Sequence, residues 1–415
     1  KAITLQLPES LPAPQPYWLE KEGSLGMFEV AEQRLVGKPE NDAPLSYDVT
    51  ILVEGSPIEA RLPLSYREVD PAKGESVRPV VNMPLASVAF PTPVALFANG
   101  ATKTLEIEVA AFTRPVSGRL AVDAPAGWKI NPASLEVGTL QPGESRRFSF
   151  EVSAPKRPET AKLSAVLKTA EGQEIRGGLK RIRYDHIPEQ NIFSEASARA
   201  VNLDVAKKGD RVAYLPGAGD SVAESIREIG YEVQVLSPDQ TTLEVLQEFD
   251  ALVFGIRAFN TVDEIDRLMP TVFEYVKQGG TAIAQYNTSH RLMTERIAPY
   301  PLSLSRDRVT DESAEMRMLA PEHPAWTTPN RITSADFEGW TQERGLYFPN
   351  QWDEAFTPLV SVSDPGEPAR EGSLLVAPHG EGYFVYTGLS WFRQLPEGVP
   401  GAYRIFANLL SLGQD

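Results

Sequence analysis

Residues 251–260 read Ala-Leu-Val-Phe-Gly-Ile-Arg-Ala-Phe-Asn, and this stretch decides the fold of the C-terminal half. Its apolar run is too short for a buried helix and stops at Gly255, after which Arg257 and Asn260 follow at once. Central strands of parallel sheets end in this way. In open α/β sheets, ligands bind outside the carboxyl ends of the strands. Arg257 and Asn260 are therefore candidate binding residues, although a charged loop that only covers the sheet would use the same residues.

The sequence on both sides of this stretch alternates between strand and helix patterns, from residue 209 to the end. Ser221, Thr241 and Thr261 begin helices in capping-box patterns, and Pro400 precedes a last helix. The pattern predicts a flavodoxin-like, doubly wound parallel sheet in an α/β domain over residues 209–415. Its other strands are Arg211–Leu215, Tyr231–Leu236, Thr281–Tyr286, Ser373–Ala377 and Gly382–Thr387.

The N-terminal half has a different pattern, with short alternating strands and many of the chain's 35 prolines. It predicts all-β sandwiches at residues 1–83 and 84–187, followed by a linker at 188–208. Within the second sandwich, Ala124-Pro125-Ala126-Gly127-Trp128-Lys129-Ile130 and Leu140-Gln141-Pro142-Gly143-Glu144-Ser145 resemble modules attached to glycosidases and other secreted carbohydrate-active enzymes. Trp128 is either a core residue or a platform for a sugar ring.

Composition excludes several classes of function. The formal net charge is −16, which opposes binding to nucleic acids and to anionic lipid surfaces. No apolar run reaches membrane-spanning length. The absence of cysteine excludes disulfides, thiolate metal sites and a Cys nucleophile. The first residue is Lys1 rather than Met, so we expect a processed chain or a piece of a longer one.

Common catalytic and cofactor motifs are missing. The first strand-to-helix turn, Pro216-Gly217-Ala218-Gly219-Asp220, lacks the third glycine of a dinucleotide loop, and its aspartate would repel a phosphate. The four histidines have no metal-ligand spacing, and Gly-x-Ser-x-Gly is absent. We therefore expect neither a cofactor nor a metal site in this chain. Ser289 with a histidine base is the nearest substitute for a catalytic pair.

Polar and aromatic residues at strand ends and in a long insertion over 287–370 form the remaining candidate ligand site. Arginine guanidinium groups and side-chain amides suit a ligand that carries a carboxylate or many hydroxyls. Ion pairs with a purely structural role would use the same residues. We expect Arg257, Asn287, Glu343 and Arg344 to converge on one pocket that solvent reaches. The full candidate set is Arg257, Asn260, Gln285, Asn287, Arg308, Trp340, Glu343, Arg344, Trp352 and Arg393.

Two resemblances extend this interpretation. The strand order, Gly279-Gly280 and residues 380–388 (Gly-Glu-Gly-Tyr-Phe-Val-Tyr-Thr-Gly) resemble the class I glutamine amidotransferase-like fold, including its ThuA-like branch. The nucleophilic cysteine of the amidotransferases would lie near position 287, which is Asn, so the resemblance implies that glutamine hydrolysis is lost.

Nearly the whole chain resembles the region downstream of the catalytic domain in large bacterial PIG-L/LmbE-type N-deacetylases. The motifs that carry this resemblance include Phe254-Gly255-Ile256-Arg257-Ala258-Phe259-Asn260, Gln285-Tyr286-Asn287-Thr288, Phe337-Glu338-Gly339-Trp340 and Phe392-Arg393-Gln394-Leu395-Pro396. The family's His-Pro-Asp-Asp metal motif is absent, since His323-Pro324 continues into Ala325. The resemblance implies a non-catalytic accessory or substrate-recognition region, with zinc only in an upstream, covalently linked deacetylase domain.

Two functions remain open on the sequence. The first is this accessory region, which would bind a carbohydrate and belong to a periplasmic or secreted protein. The second is an independent ThuA-like hydrolase or carbohydrate-processing enzyme that uses the crevice at the carboxyl end of the sheet. A Ser–His pair within hydrogen-bonding distance in the crevice would favour the second.

Overall fold

The computed structural model describes residues 15–21, 23–24, 26–184, 186–187 and 189–414. The chain divides into two compact units. The first contains the described residues up to Pro93, Lys103–Ser153 and Ala161–Arg199, and the second contains Val94–Thr102, Ala154–Thr160 and everything from Ala200 onward. Among the described residues, no helix is both long enough and apolar enough to cross a membrane.

Two separate antiparallel hairpins lie at the start of the first unit. One pairs β1 (Ser46–Val53) with β2 (Ser56–Pro63), and the other pairs β3 (Ser65–Asp70) with β4 (Gly74–Pro79). Ile51 and Leu52 are 50% and 70% exposed, so neither face of β1 is covered. The described part of residues 1–83 therefore differs from the packed sandwich that the sequence predicts. Its strand pattern forms hairpins, but no second sheet packs on them.

Two larger antiparallel sheets give the first unit its core. One has the strand order β5-β7-β11-β9, and the other has the order β10-β8-β12 with β13 beside β12. Burial alternates along β7, where Ile107, Val109 and Ala111 face the core, because successive strand residues point to opposite faces. These strands are β5 (Ala86–Ala89), β7 (Thr102–Ala111), β8 (Val116–Asp123), β9 (Lys129–Asn131), β10 (Ser134–Leu140), β11 (Ser145–Ser153), β12 (Glu159–Thr169) and β13 (Glu174–Ile175). Between β5 and β7 in the chain, β6 (Val94–Ala98) belongs to the second unit.

The predicted linker at 188–208 is wrong, because its described residues form strands. A hairpin joins β14 (Gly177–Ile182) to β15 (Gln190–Glu195), and β16 (Ser197–Leu203) continues from the first unit into the second. Ala198, Ala200, Val201 and Leu203 are buried. Alanine has a low intrinsic preference for strands, so these residues form a strand because their side chains are buried.

The second unit is built on a seven-stranded sheet with the order β18-β17-β19-β20-β27-β26-β24. Its first five strands are parallel, and the last two are antiparallel to their neighbours. The elements up to the centre of this sheet are β17 (Arg211–Leu215), α1 (Val222–Glu228), β18 (Glu232–Val235), α2 (Leu243–Leu246), β19 (Ala251–Phe254), α3 (Ala258–Thr261), α4 (Ile265–Lys277) and β20 (Thr281–Ala284).

The predicted insertion follows β20 and contains two further antiparallel pairs, β21 with β23 and β22 with β25. The chain then returns to the sheet and ends in a buried helix. These elements are β21 (Leu302–Val309), β22 (Arg317–Met318), α5 (Pro324–Thr327), β23 (Gly345–Trp352), β24 (Thr357–Pro358), β25 (Val360–Ser361), β26 (Leu374–His379), β27 (Gly382–Thr387), α6 (Trp391–Gln394) and α7 (Pro400–Leu410).

The apolar runs that predict these strands are continuous because the sheet is buried on both faces. All four residues of β19 are buried, and alternate side chains enter two different cores. Val253 packs in one core with residues of α1 and α7. Leu252 and Phe254 pack in the other core with residues of α4. Helices therefore cover both faces of the sheet.

None of the three predicted helix caps forms at the predicted residue. In α2 the cap is Thr242 rather than Thr241, and the Thr242 side chain accepts a hydrogen bond from the backbone N–H of Val245. Ser221 makes no side-chain cap, and Thr261 lies inside α3 rather than before α4. The Asp220 carboxylate accepts the Val222 N–H in place of Ser221, at 2.9 Å.

Candidate functional site

A sharp strand-to-helix turn follows β19, and Arg257 lies at its tip. Arg257 has φ 57° and ψ 22°, which is the left-handed conformation, and α3 begins at the next residue. Two close glycines make room for the turn, since a Cβ on Gly217 would lie 2.1 Å from the Ile256 carbonyl oxygen. A Cβ on Gly255 would lie 2.7 Å from the Gly217 nitrogen. A turn of this kind presents one side chain above the carboxyl edge of a sheet, as nucleophile elbows do.

Asp220 holds this turn in place from the neighbouring strand-to-helix loop. One carboxylate oxygen accepts hydrogen bonds from the Tyr214 hydroxyl and the Val222 N–H, and the other accepts the Ile256 N–H at 3.0 Å. Burial, and then the charge of Asp220, raise the pKa of Tyr214, so its hydroxyl stays protonated and donates. Asp220 is therefore a structural anchor for the backbone beside Arg257.

Tyr286 follows β20 and lies beside Arg257, whose backbone N–H donates to the Tyr286 carbonyl oxygen at 2.8 Å. Its ring is nearly parallel to that of Tyr347, with 14° between the planes and 6.4 Å between the centroids. The Phe392 ring lies 5.2 Å away on α6. Three aromatic rings, from the segment after β20, from β23 and from α6, thus meet at the carboxyl edge of the sheet.

Charged groups surround these rings. Burial raises the pKa of Tyr286, while Arg257 and Arg393 act to lower it and Glu343 acts to raise it. The Arg308 guanidinium lies 6.0 Å from the Tyr347 ring centroid, and the His290 ring lies 6.4 Å from it. We call this group of residues the Tyr286 cluster: Arg257, Tyr286, His290, Arg308, Glu343, Tyr347, Phe392 and Arg393.

Backbone strain is concentrated at and around the Tyr286 cluster. The described residues include seven non-glycine residues with positive φ. Arg257 and Tyr347 belong to the cluster, and Arg291 and Gln342 are chain neighbours of His290 and Glu343. Left-handed backbone in residues with a Cβ is unfavourable, and it persists where the surrounding structure imposes it, often at binding sites. The strain therefore marks the same edge of the sheet as the aromatic rings.

Four of the predicted site residues belong to the cluster, namely Arg257, Arg308, Glu343 and Arg393. Glu343 and Arg393 form an ion pair, with 2.8 Å between Glu343 Oε1 and Arg393 Nε. Arg393 also donates to the Gln342 side chain and lies 4.8 Å from the Phe392 ring centroid. Arg257 and Arg308 have no ion pair among the described residues.

The predicted convergence of Arg257, Asn287, Glu343 and Arg344 on one pocket is wrong for Asn287 and Arg344. Asn287 is fully buried and accepts the Phe259 N–H at 2.8 Å. Arg344 is 4% exposed and donates to the carbonyl oxygens of Ala314 and Phe337. Burial lowers the pKa of Arg344 to about 10. Both side chains satisfy backbone groups inside the unit.

The other predicted residues also have structural contacts. Gln285 is buried and donates to the Phe254 carbonyl, and Asn260 binds the loop of residues 288–291 through three carbonyls and one N–H. Trp340 is buried, with its ring centroid 5.4 Å from that of Trp391, and Trp352 is packed against the core on the α4 side. Sequence patterns detect polarity at strand ends, but they do not show which side chains turn inward.

Sequence reasoning missed Tyr286, Tyr347, Phe392 and His290 as site residues. Tyr286 was the detectable one, since it ends the same apolar run that predicts β20. Tyr347 and Phe392 become neighbours of Tyr286 only because the insertion and the last strand-to-helix segment fold back to this edge. Such long-range contacts leave no signal in local sequence.

The guanidinium groups and aromatic rings at this edge can bind a ligand through charge-assisted hydrogen bonds and ring contacts. No cluster of three His, Asp or Glu residues suited to a metal occurs in the described part of the chain. Within the same residues, no hydrogen bond joins a serine hydroxyl to a histidine ring. His323 caps α5 through Nδ1, and His379 contacts the Tyr300 hydroxyl. Ser390 is fully buried and donates to the Glu343 carbonyl.

Comparison with known proteins gives one domain match. Residues 97–168 match the NPCBM-associated, NEW3 domain of alpha-galactosidase, a carbohydrate-associated β-sandwich. The chain therefore contains a carbohydrate-associated β-sandwich domain. Trp128 lies within the match and is buried, so it is a core residue of the sandwich and not an exposed platform.

Similarity to whole proteins is partial. A glutamine-hydrolyzing GMP synthase subunit from Sulfolobus acidocaldarius is 28% identical over 116 residues, which are 26% of this chain and 61% of that protein. The chain thus matches less than two thirds of this relative's length.

Two glycoside hydrolases are among the similar solved structures. The exo-beta-1,4-mannosidase Op5Man5 of Opitutaceae bacterium strain TAV5 is 12% identical over 50% of this chain and 37% of its own, with a TM-score of 0.31. The family 123 glycoside hydrolase of Clostridium perfringens is 10% identical over 49% of this chain and 38% of its own, with a TM-score of 0.18.

Proposed function

We propose that this chain is a non-catalytic region of a carbohydrate-active hydrolase and that it recognises a carbohydrate at the Tyr286 cluster. The observation that carries the proposal is the identity of the residue at the tip of the turn after β19. In hydrolases with such an elbow, this position holds the nucleophile. Here it holds Arg257, whose guanidinium stays protonated and cannot attack a carbonyl or an anomeric carbon.

The ancestry we propose for the parallel-sheet unit is class I amidotransferase-like. The order β18-β17-β19-β20-β27 corresponds to the flavodoxin-like order 2-1-3-4-5, and ligands of such sheets bind at the carboxyl edge. The partial match to a glutamine-hydrolyzing protein supports this ancestry. Residues 285–288, directly after β20, are buried and none of them has a positive φ, so they form no second elbow for a nucleophile.

The NEW3-type sandwich supports the carbohydrate part of the proposal. A domain of this kind is compatible with a secreted or periplasmic protein, and we propose that location. The resemblance to PIG-L/LmbE-type proteins leads us to propose further that the enzyme served is an N-deacetylase of acetylated sugars. Its zinc site would lie in a covalently linked upstream domain.

Isothermal titration of the full chain with a panel of oligosaccharides tests the proposal, together with assays for acetate, reducing sugar and ammonia release. We expect binding to at least one glycan, its loss in Tyr347→Ala, and no product in any assay. Asn350→Ala is a matched control, because Asn350 is an exposed residue of the same strand.

Turnover of a glycan by the purified chain would overturn the non-catalytic assignment and favour the independent hydrolase. Binding that persists unchanged in Tyr347→Ala would move the site away from the Tyr286 cluster.

A further inference from the structure

We infer that the Tyr286 cluster takes an acidic sugar, with the carboxylate of a hexuronate residue held by Arg257 and Arg308. This inference rests on the proposed function and names the chemical class of its ligand. It follows from the charge balance of the cluster, from one buried donor that lacks a partner, and from the arrangement of the aromatic rings.

The charge balance is positive in a chain whose net charge is −16. The cluster contains three guanidinium groups and a single carboxylate. Glu343 is already taken by Arg393, as their 2.8 Å contact shows. Arg257 and Arg308 remain without a carboxylate within ion-pair distance in the described part of the chain. A local excess of cations attracts an anionic group at short range, where salt screens the negative charge of the rest of the chain.

Arg257 also has an unmet hydrogen-bonding requirement. Its Nε atom is buried and makes no hydrogen bond to any residue that the structure describes. A buried donor of a charged group is unfavourable when it makes no hydrogen bond. The left-handed backbone at this residue adds strain, and Asp220 holds that backbone in place. An acceptor oxygen from a ligand would satisfy the Nε donor without any change in the turn.

The planar guanidinium fork matches the two oxygens of a carboxylate in a bidentate contact. Tyr347 is half-buried, and its ring lies beside the Arg308 guanidinium. An aromatic face carries negative potential and attracts the C–H face of a sugar ring. One sugar residue can therefore place its ring on an aromatic face while its carboxylate reaches a guanidinium.

The test uses the full chain and three oligosaccharides of equal length and linkage. These are an oligogalacturonate, the neutral oligosaccharide in which each carboxylate is reduced to an alcohol, and a sulfated form of the neutral one. Titration calorimetry measures the three dissociation constants for the wild type, Arg257→Gln, Arg308→Gln and a control, Arg331→Gln. Arg331 is exposed, lies in the same unit and has no ion pair among the described residues.

We expect the oligogalacturonate to bind on the order of tenfold or more tightly than the neutral form. Arg257→Gln and Arg308→Gln should each remove most of this preference and leave the melting temperature within about 2 °C of wild type. Arg331→Gln should change neither quantity.

Equal binding of the neutral and the uronate oligosaccharides would overturn the inference and leave carbohydrate recognition intact. Equal binding of the sulfated and the uronate forms would overturn the carboxylate assignment in favour of a general anion site. If the oligogalacturonate does not bind while a neutral glycan binds with loss in Tyr347→Ala, the inference fails and the proposed function stands. Failure of every glycan to bind would overturn both.

Discussion

Replacing Asp220 with asparagine removes the acceptor that anchors the turn beneath Arg257, and we expect a large loss of stability. Three donors share the two oxygens of this carboxylate: the Tyr214 hydroxyl, the Val222 N–H and the Ile256 N–H. Asparagine keeps one acceptor oxygen, and its amide nitrogen cannot accept. One charge-assisted bond worth about 1.5–3 kcal/mol is lost, and the weakening of the other two adds about 1–2 kcal/mol.

Together these losses lower the free energy of unfolding of the second unit by about 3–4 kcal/mol. At ~2–4 °C per kcal/mol for a unit of this size, the melting temperature falls by roughly 6–15 °C. Tryptophan fluorescence reports mainly on this unit, which contains Trp326, Trp340, Trp352 and Trp391 of the six tryptophans. Calorimetry gives the matching heat of unfolding. Asp239→Asn is the control, because Asp239 is exposed and should stay within about 0.5 kcal/mol of wild type.

A double-mutant cycle with Tyr214→Phe isolates the interaction between the two side chains. We expect a coupling energy of about 1–2 kcal/mol, because the hydroxyl loses its acceptor in one variant and the carboxylate loses its donor in the other. Purely additive effects, or an Asp220→Asn variant within about 1 kcal/mol of wild type, would refute the assignment of Asp220 as the anchor.

Three further changes test other parts of the second unit. Gly217→Ala should destabilise it by about 1–3 kcal/mol in thermal unfolding, since the new Cβ would meet the Ile256 carbonyl, whereas Gly138→Ala, which has room, should not. Arg344→Met should lower the melting temperature by removing two bonds to buried carbonyls and leave glycan binding unchanged; lost binding at an unchanged melting temperature would contradict this. Burial lowers the pKa of His323 below its ordinary 6.5, so the unfolded state binds more protons and stability falls as the pH drops through 6.5. His323→Asn keeps an acceptor for the Ala325 N–H and should reduce the fall in melting temperature between about pH 7.5 and 5.5. Part of the fall should remain, because burial also lowers the pKa of His379.

The strands of the parallel sheet were predictable because each is a short apolar run closed by glycine or by polar residues. Residues 211–215 and 382–387 agree with β17 and β27 at both ends. Because both faces of such a strand are buried, its sequence is a continuous apolar run, which can be recognised without knowing which strands pair with it. The strands near residue 200 gave no such signal, since alanine and serine become strand residues there only through packing.

The position of the candidate site was predictable from the sequence, but only some of the residues that form it were. Arg257 follows a strand whose apolar run alone places it at the centre of the sheet. Asn287 follows the next strand, yet its side-chain amide accepts a hydrogen bond from the Phe259 N–H and donates one to the Gln285 carbonyl. Local sequence shows that a side chain is polar, but the number of backbone groups that need it depends on the folded loops around it. The aromatic members depend on contacts between segments that are far apart in the chain.

The interleaving of the two units has a practical and an evolutionary consequence. Val94–Thr102 belongs to the second unit although the chain on both sides of it belongs to the first. In that segment, Leu96 packs in the same core as Val201 and Leu203, and Asn99 exchanges hydrogen bonds with Val205. A fragment cut at residue 200 would expose this core and lose its bonds. Recombination could not transfer the parallel-sheet unit alone by a single crossover, so we expect the two units to have been inherited together.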